Sequence, residues 1–365
     1  MSNFNQAYLN LSTKLFTKLS EENKNVMLSP LSIMQALAMC ANGASNETLK
    51  QIEEVISGSV SISALNKLML DYVKNLPTTE ETSFHNANSI WINELIGKDI
   101  DQEFIDTNMK YYSGEVNVEP FNSITAKKIN DWVSNNTQDM IEEIIDDLDP
   151  MAMMVLVNAL AFDGKWNQPF DDVISVDFNN IDGSVSKVDM LAGEEDYYIE
   201  TDDAVGFRKS YDGDGYSFIA LLPKGDIKEY VSSLSVERII NVHENTLPIS
   251  VECKMPKFKN EYSLRMNELL MSLGIKDAFD ASIADFSKMR RSRSRDLYIS
   301  EVLHKTYIDV NEVGTKAAAV TGIMVRMAAI IMDPKKVVFD RPFMYMIVDS
   351  KNDLPLFIGV VNEVK

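Results

Sequence analysis

Cysteine is scarce here: Cys40 and Cys253 are the only two in 365 residues. Two thiols cannot frame a disulfide-held scaffold in a chain this long, so stability must come from a buried core. Cys40 lies in the apolar stretch 37–43 and reads as a small buried hydrophobe. Histidine is nearly as rare. His85, His243 and His304 are the only three, and none stands in an HExxH metal motif. There is no GxSxG nucleophile elbow and no phosphate-cradling glycine loop. Asp212-Gly213-Asp214-Gly215 resembles the start of a calcium loop but lacks its remaining ligands, so a hairpin turn is expected there. Without these features an enzyme is the least supported class, and an inhibitor or interaction protein leads. No metal and no cofactor is expected.

Positive charge is also short. Thirty-five Lys and Arg face 55 Asp and Glu, a formal net charge of −20. A field of that sign repels phosphate backbones and anionic lipid heads, so neither nucleic acid nor a membrane surface is expected as a partner. No apolar run reaches eighteen residues, which excludes a helical membrane span by hydropathy. The first sixteen residues lack a basic start followed by an unbroken apolar stretch, so no signal peptide is read. The expected compartment is the cytoplasm. The sequons at Asn10, Asn46 and Asn135 then carry no meaning. Arg290, Arg291, Arg293 and Arg295 stand out in so acidic a chain. A solvated loop is the preferred reading, and a patch for an anionic cofactor such as a sulfated polysaccharide is the alternative.

What is present is enough apolar material for a large core: 45% of residues are hydrophobic and 25% charged. Helical spacing marks residues 4–19, 47–57, 63–74, 103–112 and 124–135. Ser29 suits an N-cap and Pro30 the first helical position of a helix over 29–41. The run 151–162 reads as a strand buried on both faces. Strands and turns are expected over 173–256, a helix over 262–273, and strands again from 298 to the end. Helices first and strands afterwards argue for an α+β fold rather than βαβ units. No linker or repeat interrupts the chain, so a single domain over 1–365 is expected, as a monomer.

One segment is out of place. Residues 312–332 lie between strand-like runs, yet they begin with glycine and small residues and then turn apolar. A loop that long and apolar needs a reason. Alternate positions supply one. Thr315, Ala317, Ala319, Thr321, Ile323 and Val325 are small or β-branched and uncharged, whereas Lys316 and Arg326 share the other register with Gly314, Ala318, Val320, Gly322 and Met324. The segment can therefore form a strand with one buried face. A permanent strand is the plain alternative, although three alanines and two glycines make a weak one.

The sequence resembles the serpin family over nearly its whole length. The likeness is carried by Asn25-Val26-Met27-Leu28-Ser29-Pro30-Leu31-Ser32-Ile33, Asn130-Asp131-Trp132-Val133, Val157-Asn158-Ala159-Leu160-Ala161-Phe162-Asp163-Gly164-Lys165-Trp166 with Pro169-Phe170, Met255-Pro256-Lys257-Phe258, Leu273-Gly274-Ile275, Ala284-Asp285-Phe286-Ser287, Ile299-Ser300-Glu301-Val302-Leu303-His304-Lys305, Phe339-Asp340-Arg341-Pro342-Phe343 and Leu356-Phe357-Ile358-Gly359. Each is weak alone; their order over the full length is specific. The resemblance implies helices packed on three β-sheets, with an exposed reactive loop over about 312–334 that inserts into the large central sheet. Glu312, Gly314, Thr315, Lys316, Ala317, Ala318 and Ala319 match the hinge. Ser29, Ser32, Asn158 and His304 match the shutter beneath the sheet. Trp166, Lys257 and Glu312 match the breach where the loop enters. Lys316 departs from the acidic residue often found there, but it falls on the outward register.

The implied function is suicide inhibition of a serine, or alternatively a cysteine, protease: the loop is cleaved, an acyl-enzyme forms, and insertion traps the protease. Counting forward from Glu312 by the family's spacing places the scissile bond after Ala328; counting back from Asp333-Pro334 places it nearer Ile330. The forward count is preferred because insertion length decides inhibition. The scissile region is then Arg326, Met327, Ala328 and Ala329. Ala328 suits an elastase-like pocket, Met327 a chymotrypsin-like one and Arg326 a trypsin-like one. The N-terminus resembles the family's branch without a signal peptide, which implies a nucleocytoplasmic protein, released if at all by another route. A non-inhibitory binding or chaperone role is the alternative reading.

Overall fold

The computed structural model describes residues 1–97, 99–315 and 335–365. The hinge residues Lys316, Ala317, Ala318 and Ala319 and the scissile candidates Arg326, Met327, Ala328 and Ala329 lie outside the described residues. Six helices come first: Asn3–Thr17, Pro30–Ala41, Asn46–Ile56, Ile62–Lys74, Gln102–Tyr112 and Ser123–Asn136. Pro30–Ala41 starts as expected. Ser29 adopts an extended backbone and its hydroxyl accepts the Ser32 amide at 3.3 Å, while Pro30 gives up only an N–H that the first turn leaves unpaired. Every residue of this helix is buried. It is apolar on most of its circumference, so it belongs inside the molecule, and the few polar residues it carries must find partners there.

Three sheets follow. A six-stranded sheet runs in the order Phe258–Arg265, Glu301–Val310, Gly314–Thr315, Met154–Lys165, Thr82–Asn93 and Glu115–Glu119. A seven-stranded antiparallel sheet is built around Phe343–Asp349 and Leu354–Val361, and a four-stranded one around Val185–Glu195 and Val251–Pro256. The expected α+β architecture with three sheets is present. Met154–Lys165 explains its own apolar run. Met154, Leu156, Leu160 and Phe162 join the main core, while Val155, Val157, Ala159 and Ala161 pack with Ala126, Ile129 and Val133 of the helix Ser123–Asn136 on the other face.

Two expectations need correction. The helix read over 262–273 is a strand, Phe258–Arg265, followed by a short helix, Asn267–Leu273. Phe258, Asn260 and Tyr262 are buried and Lys259, Glu261 and Ser263 exposed, a period of two that the helical reading overlooked. The strand-rich stretch 173–256 also contains two helices, Ile227–Ser232 and Val236–Glu244, each started by a side-chain cap from Asp226 or Ser235. The Asp212–Gly215 segment is a hairpin turn, with Gly213 and Asp214 both at positive φ, as a tight turn between twisted strands requires. Cys40 and Cys253 are buried, and neither forms a disulfide among the described residues. Among the described residues no helix is long and apolar enough to cross a membrane.

Candidate functional site

The site begins where the central sheet forks. Met154–Lys165 and Glu301–Val310 pair directly and in parallel, from Glu301 opposite Val155 to Tyr307 opposite Ala161. Above that point they separate, and Gly314–Thr315 sits between them. Thr315 pairs with Val310 on one side and Gly164 on the other, and Gly314 with Lys165. Two residues of a new strand thus occupy the mouth of a sheet that is closed below.

The turn leading into them is held from several directions. The Asn311 side chain accepts the amides of Val313 and Gly314 at 2.9 and 3.1 Å, and the Asn311 amide donates to the Gly314 carbonyl at 2.9 Å. Trp166 donates its indole N–H to the Asn311 carbonyl and its amide to the Val313 carbonyl, both at 2.9 Å. The Phe170 amide donates to the Glu312 carbonyl at 2.9 Å. Trp166 is buried and stacks on Tyr211 with ring centres 4.4 Å apart. The Tyr211 hydroxyl meets the Thr315 hydroxyl at 2.7 Å, and burial pushes the Tyr211 pKa up, so the phenol stays protonated. Thr315 is fully buried, on the face the alternation assigned to the interior.

Lys257 and Glu312, expected at the same place, are paired at 2.9 Å on half-exposed side chains. The hydrogen bond from Lys257 holds the Glu312 carboxyl below its usual pKa. Solvent screens such a pair strongly. Lys257→Ala is expected to lower unfolding free energy by no more than about 1 kcal/mol in urea titrations; a loss several times larger would mean the pair holds the turn by more than its charge.

Below the mouth, Ser29, Ser32, Asn158 and His304 come together as a buried polar cluster. His304 and Asn158 are register partners, as are Asn158 and Asn88. The His304 Nε2 accepts the Ser29 amide at 3.3 Å, so Nδ1 carries the proton and donates to the Asn158 carbonyl oxygen. The Asn158 amide donates onward to Ser32 and Asn88. The Ser32 hydroxyl donates to Asn86 at 2.7 Å, and the Asn86 and Asn88 amides end on Gln35. Burial alone pushes the His304 pKa down to about 3, so the ring is neutral. Gln35, Asn86 and Asn88 were not among the expected residues. The signals were available: Gln35 is three residues from Ser32 on a buried helix, and Asn86 and Asn88 stand at strand period.

The basic cluster does not form an open cationic patch. Arg290 is buried against Asp99 and Asp296, Arg293 pairs with Asp101 and Arg295 with Asp285. Arg291 is exposed. Carboxylates therefore neutralise three of the four.

A family profile described as Serpin (serine protease inhibitor) matches residues 6–364. An uncharacterized serpin-like protein of Thermococcus kodakarensis is 30% identical over 355 residues, which cover 94% of this chain and 82% of that protein. The leukocyte elastase inhibitor of Xenopus tropicalis is 30% identical over 388 residues, covering 98% and 99%. Among solved structures, the thermophilic serpin tengpin in its native state is similar with a TM-score of 0.93 at 41% identity, covering 99% of this chain and 94% of that one. Tengpin in its latent state gives 0.87 at 39%, covering 100% and 99%.

Proposed function

This chain belongs to the serpin family, and we propose that it inhibits serine proteases by a single-use mechanism in which its cleaved loop becomes a strand of its central sheet. The observation that carries this reading is the forked sheet, with Gly314–Thr315 seated in a mouth above directly paired strands. The name of the similar leukocyte elastase inhibitor supports a protease as partner.

The register states what insertion requires. Continuing the pairings of Thr315 with Val310 and Gly164 would oppose Ala317 to Ile308 and Phe162, and Ala319 to Thr306 and Leu160. Thr321 would then meet His304 and Asn158, which now bond each other. Small side chains fit a closed interior with little steric cost, and a threonine hydroxyl can satisfy polar groups that its arrival separates. Each new ladder hydrogen bond adds on the order of 1 kcal/mol. The uninserted state is therefore metastable and persists behind a kinetic barrier. A protease that attacks the loop forms an acyl-enzyme and frees the hinge from its distal tether. Insertion drags the protease, deforms its oxyanion hole and blocks deacylation. The chain's own groups present the bond and supply the fold's stored energy.

The proposed scissile bond follows Ala328, which favours elastase-like targets, with chymotrypsin-like targets next through Met327 and trypsin-like ones through Arg326. One domain spanning the chain, acting as a monomer, suffices for this cycle. Two buried cysteines outside any disulfide suit a reducing, cytoplasmic setting. The test is to mix the protein with elastase-, chymotrypsin- and trypsin-like proteases and analyse denaturing gels by mass. A covalent band at the summed mass, with a released peptide beginning at Ala329, is expected. Clean loop cleavage with no covalent band across the panel would establish the non-inhibitory role instead.

A further inference from the structure

Lys209, in the strand Ala204–Ser210, is a buried ammonium with only 2% of its side chain exposed. Its Nζ lies 2.6 Å from Glu195 Oε1, the last residue of Val185–Glu195, so the pair bridges the seven-stranded and four-stranded sheets. The same ammonium stands 4.3 Å from the ring centre of Phe170 and 5.6 Å from that of Trp166. These are the two residues whose N–H groups hold the carbonyls of Asn311, Glu312 and Val313. Lys209 is therefore one contact removed from the turn that delivers the loop into the sheet.

We propose that the Lys209–Glu195 pair is a positioning device for loop entry, fixing Trp166 and Phe170 and thereby setting how slowly the native state inserts its loop unprompted. The proposal rests on the insertion reading above. Its physical basis is an asymmetry. An ammonium is attracted to the negative faces of both rings and to the carboxylate at once. Without it, both rings lose the cation that faces them and the Glu195 carboxylate loses its ammonium at 2.6 Å. A polar cavity of about 650 Å³, lined by Asn167, Glu195, Lys209 and His243 among others, gives the chain around Trp166 room to relax. The clamp on 311–313 then loosens and the barrier to entry falls. Replacing both charges with apolar side chains of similar length removes the carboxylate that has lost its ammonium and restores packing against the rings, so the pair acts through the rings rather than through its net contribution to stability.

The test compares spontaneous conversion of the native to the loop-inserted form in the parent, Lys209→Met, Glu195→Gln and Lys209→Met/Glu195→Met proteins. Conversion is followed by resistance to urea on gels and by tryptophan fluorescence, without any protease. Leu65→Ala, a buried residue of the helix Ile62–Lys74, serves as a control for general destabilisation. Lys209→Met is expected to convert at least tenfold faster than the parent, Glu195→Gln less so because the cation keeps both rings, and the double variant within about threefold of the parent. Equal acceleration in Lys209→Met and in a Leu65→Ala protein of matched urea midpoint would reduce the pair to ordinary stability and overturn the proposal. Conversion of the parent with no acceleration in Lys209→Met overturns it as well. If Lys209→Met fails to fold, a Lys209→Arg protein that converts at the parent's rate while Glu195→Gln is faster supports it, and equal rates in all three overturn it. No conversion in any variant, while loop-cleaved protein gains urea resistance, overturns the proposal and leaves the insertion reading standing; loop-cleaved protein that gains no urea resistance would sink the insertion reading beneath it.

Discussion

Under the proposed mechanism, Thr315→Arg is expected to turn this protein from an inhibitor into a substrate. Thr315 is fully buried, flanked by Val310 and Gly164, with its hydroxyl 2.7 Å from that of Tyr211. Among the described residues the side chain that meets the Thr315 hydroxyl is the Tyr211 phenol, so a guanidinium in its place buries a charge against a neutral group. Burying an unpaired charge costs several kcal/mol, and each 1.4 kcal/mol is roughly a factor of ten in a rate or equilibrium. In the uninserted state the two-residue strand Gly314–Thr315 can leave the mouth and take the guanidinium to solvent, whereas insertion cannot proceed without burying it, so the cost falls on that step. Loop cleavage, which occurs before insertion, should keep its rate. Gels of protease mixed with the variant are therefore expected to show cleaved protein at the parent's rate, with covalent complex reduced at least tenfold. Thr315→Val, which keeps shape and loses only the hydroxyl, should retain most of the complex. If Thr315→Arg still traps protease like the parent, the strand does not enter by way of Gly314–Thr315 and the forked sheet is not its gate.

That mouth was only partly legible in the sequence. The place of Thr315 on a buried face was readable because a strand's two faces repeat with period two; the alternate positions after it lie outside the described residues. The cap at Ser29 and the doubly buried strand Met154–Lys165 were readable for the same reason: each is a local pattern with a local cause. The misreading of Phe258–Arg265 came from a real ambiguity, since apolar residues there continue into a true helix at Asn267–Leu273. The polar cluster was found through four residues that a resemblance supplied. Its other members, Gln35, Asn86 and Asn88, meet His304 only through tertiary pairing across a helix and three strands. Lys209 was missed outright, because nothing in the local sequence places a lysine inside a core; its partner Glu195 lies on a different sheet. The arginine cluster shows the converse, four like charges close in sequence, three of which meet acids that include Asp99, Asp101 and Asp285 from outside the run.

Acid is expected to destabilise the native state through His304. The ring accepts from the Ser29 amide at Nε2 and donates to Asn158 from Nδ1, so both nitrogens are committed in the neutral form. A second proton would set an N–H against the Ser29 N–H with no carboxylate near to compensate, and burial alone holds the pKa down to about 3. In the unfolded chain the ring titrates near 6.5. Between those values the unfolded state binds more protons than the native one, so stability rises with pH. The contribution is complete above about pH 6.5 and is lost as pH falls toward 3, at up to about 1.4 kcal/mol per pH unit from this one group. The same reasoning applies to the opening of the sheet. Any state that parts Met154–Lys165 from Glu301–Val310 lets water reach His304 and raises its pKa, so acid also lowers the barrier to insertion. His304→Gln keeps a donor and an acceptor but cannot titrate. Urea midpoints and conversion rates measured from pH 7 to pH 4 should therefore change more steeply in the parent than in His304→Gln. Carboxylates titrating in that range, and His243, whose pKa burial also lowers, contribute to both curves and cancel in the difference. Parallel curves would mean that the His304 proton is not the one the sheet senses, and that the row of side chains from Ser29 to Gln35 is held together by packing rather than by the direction in which its hydrogen bonds run.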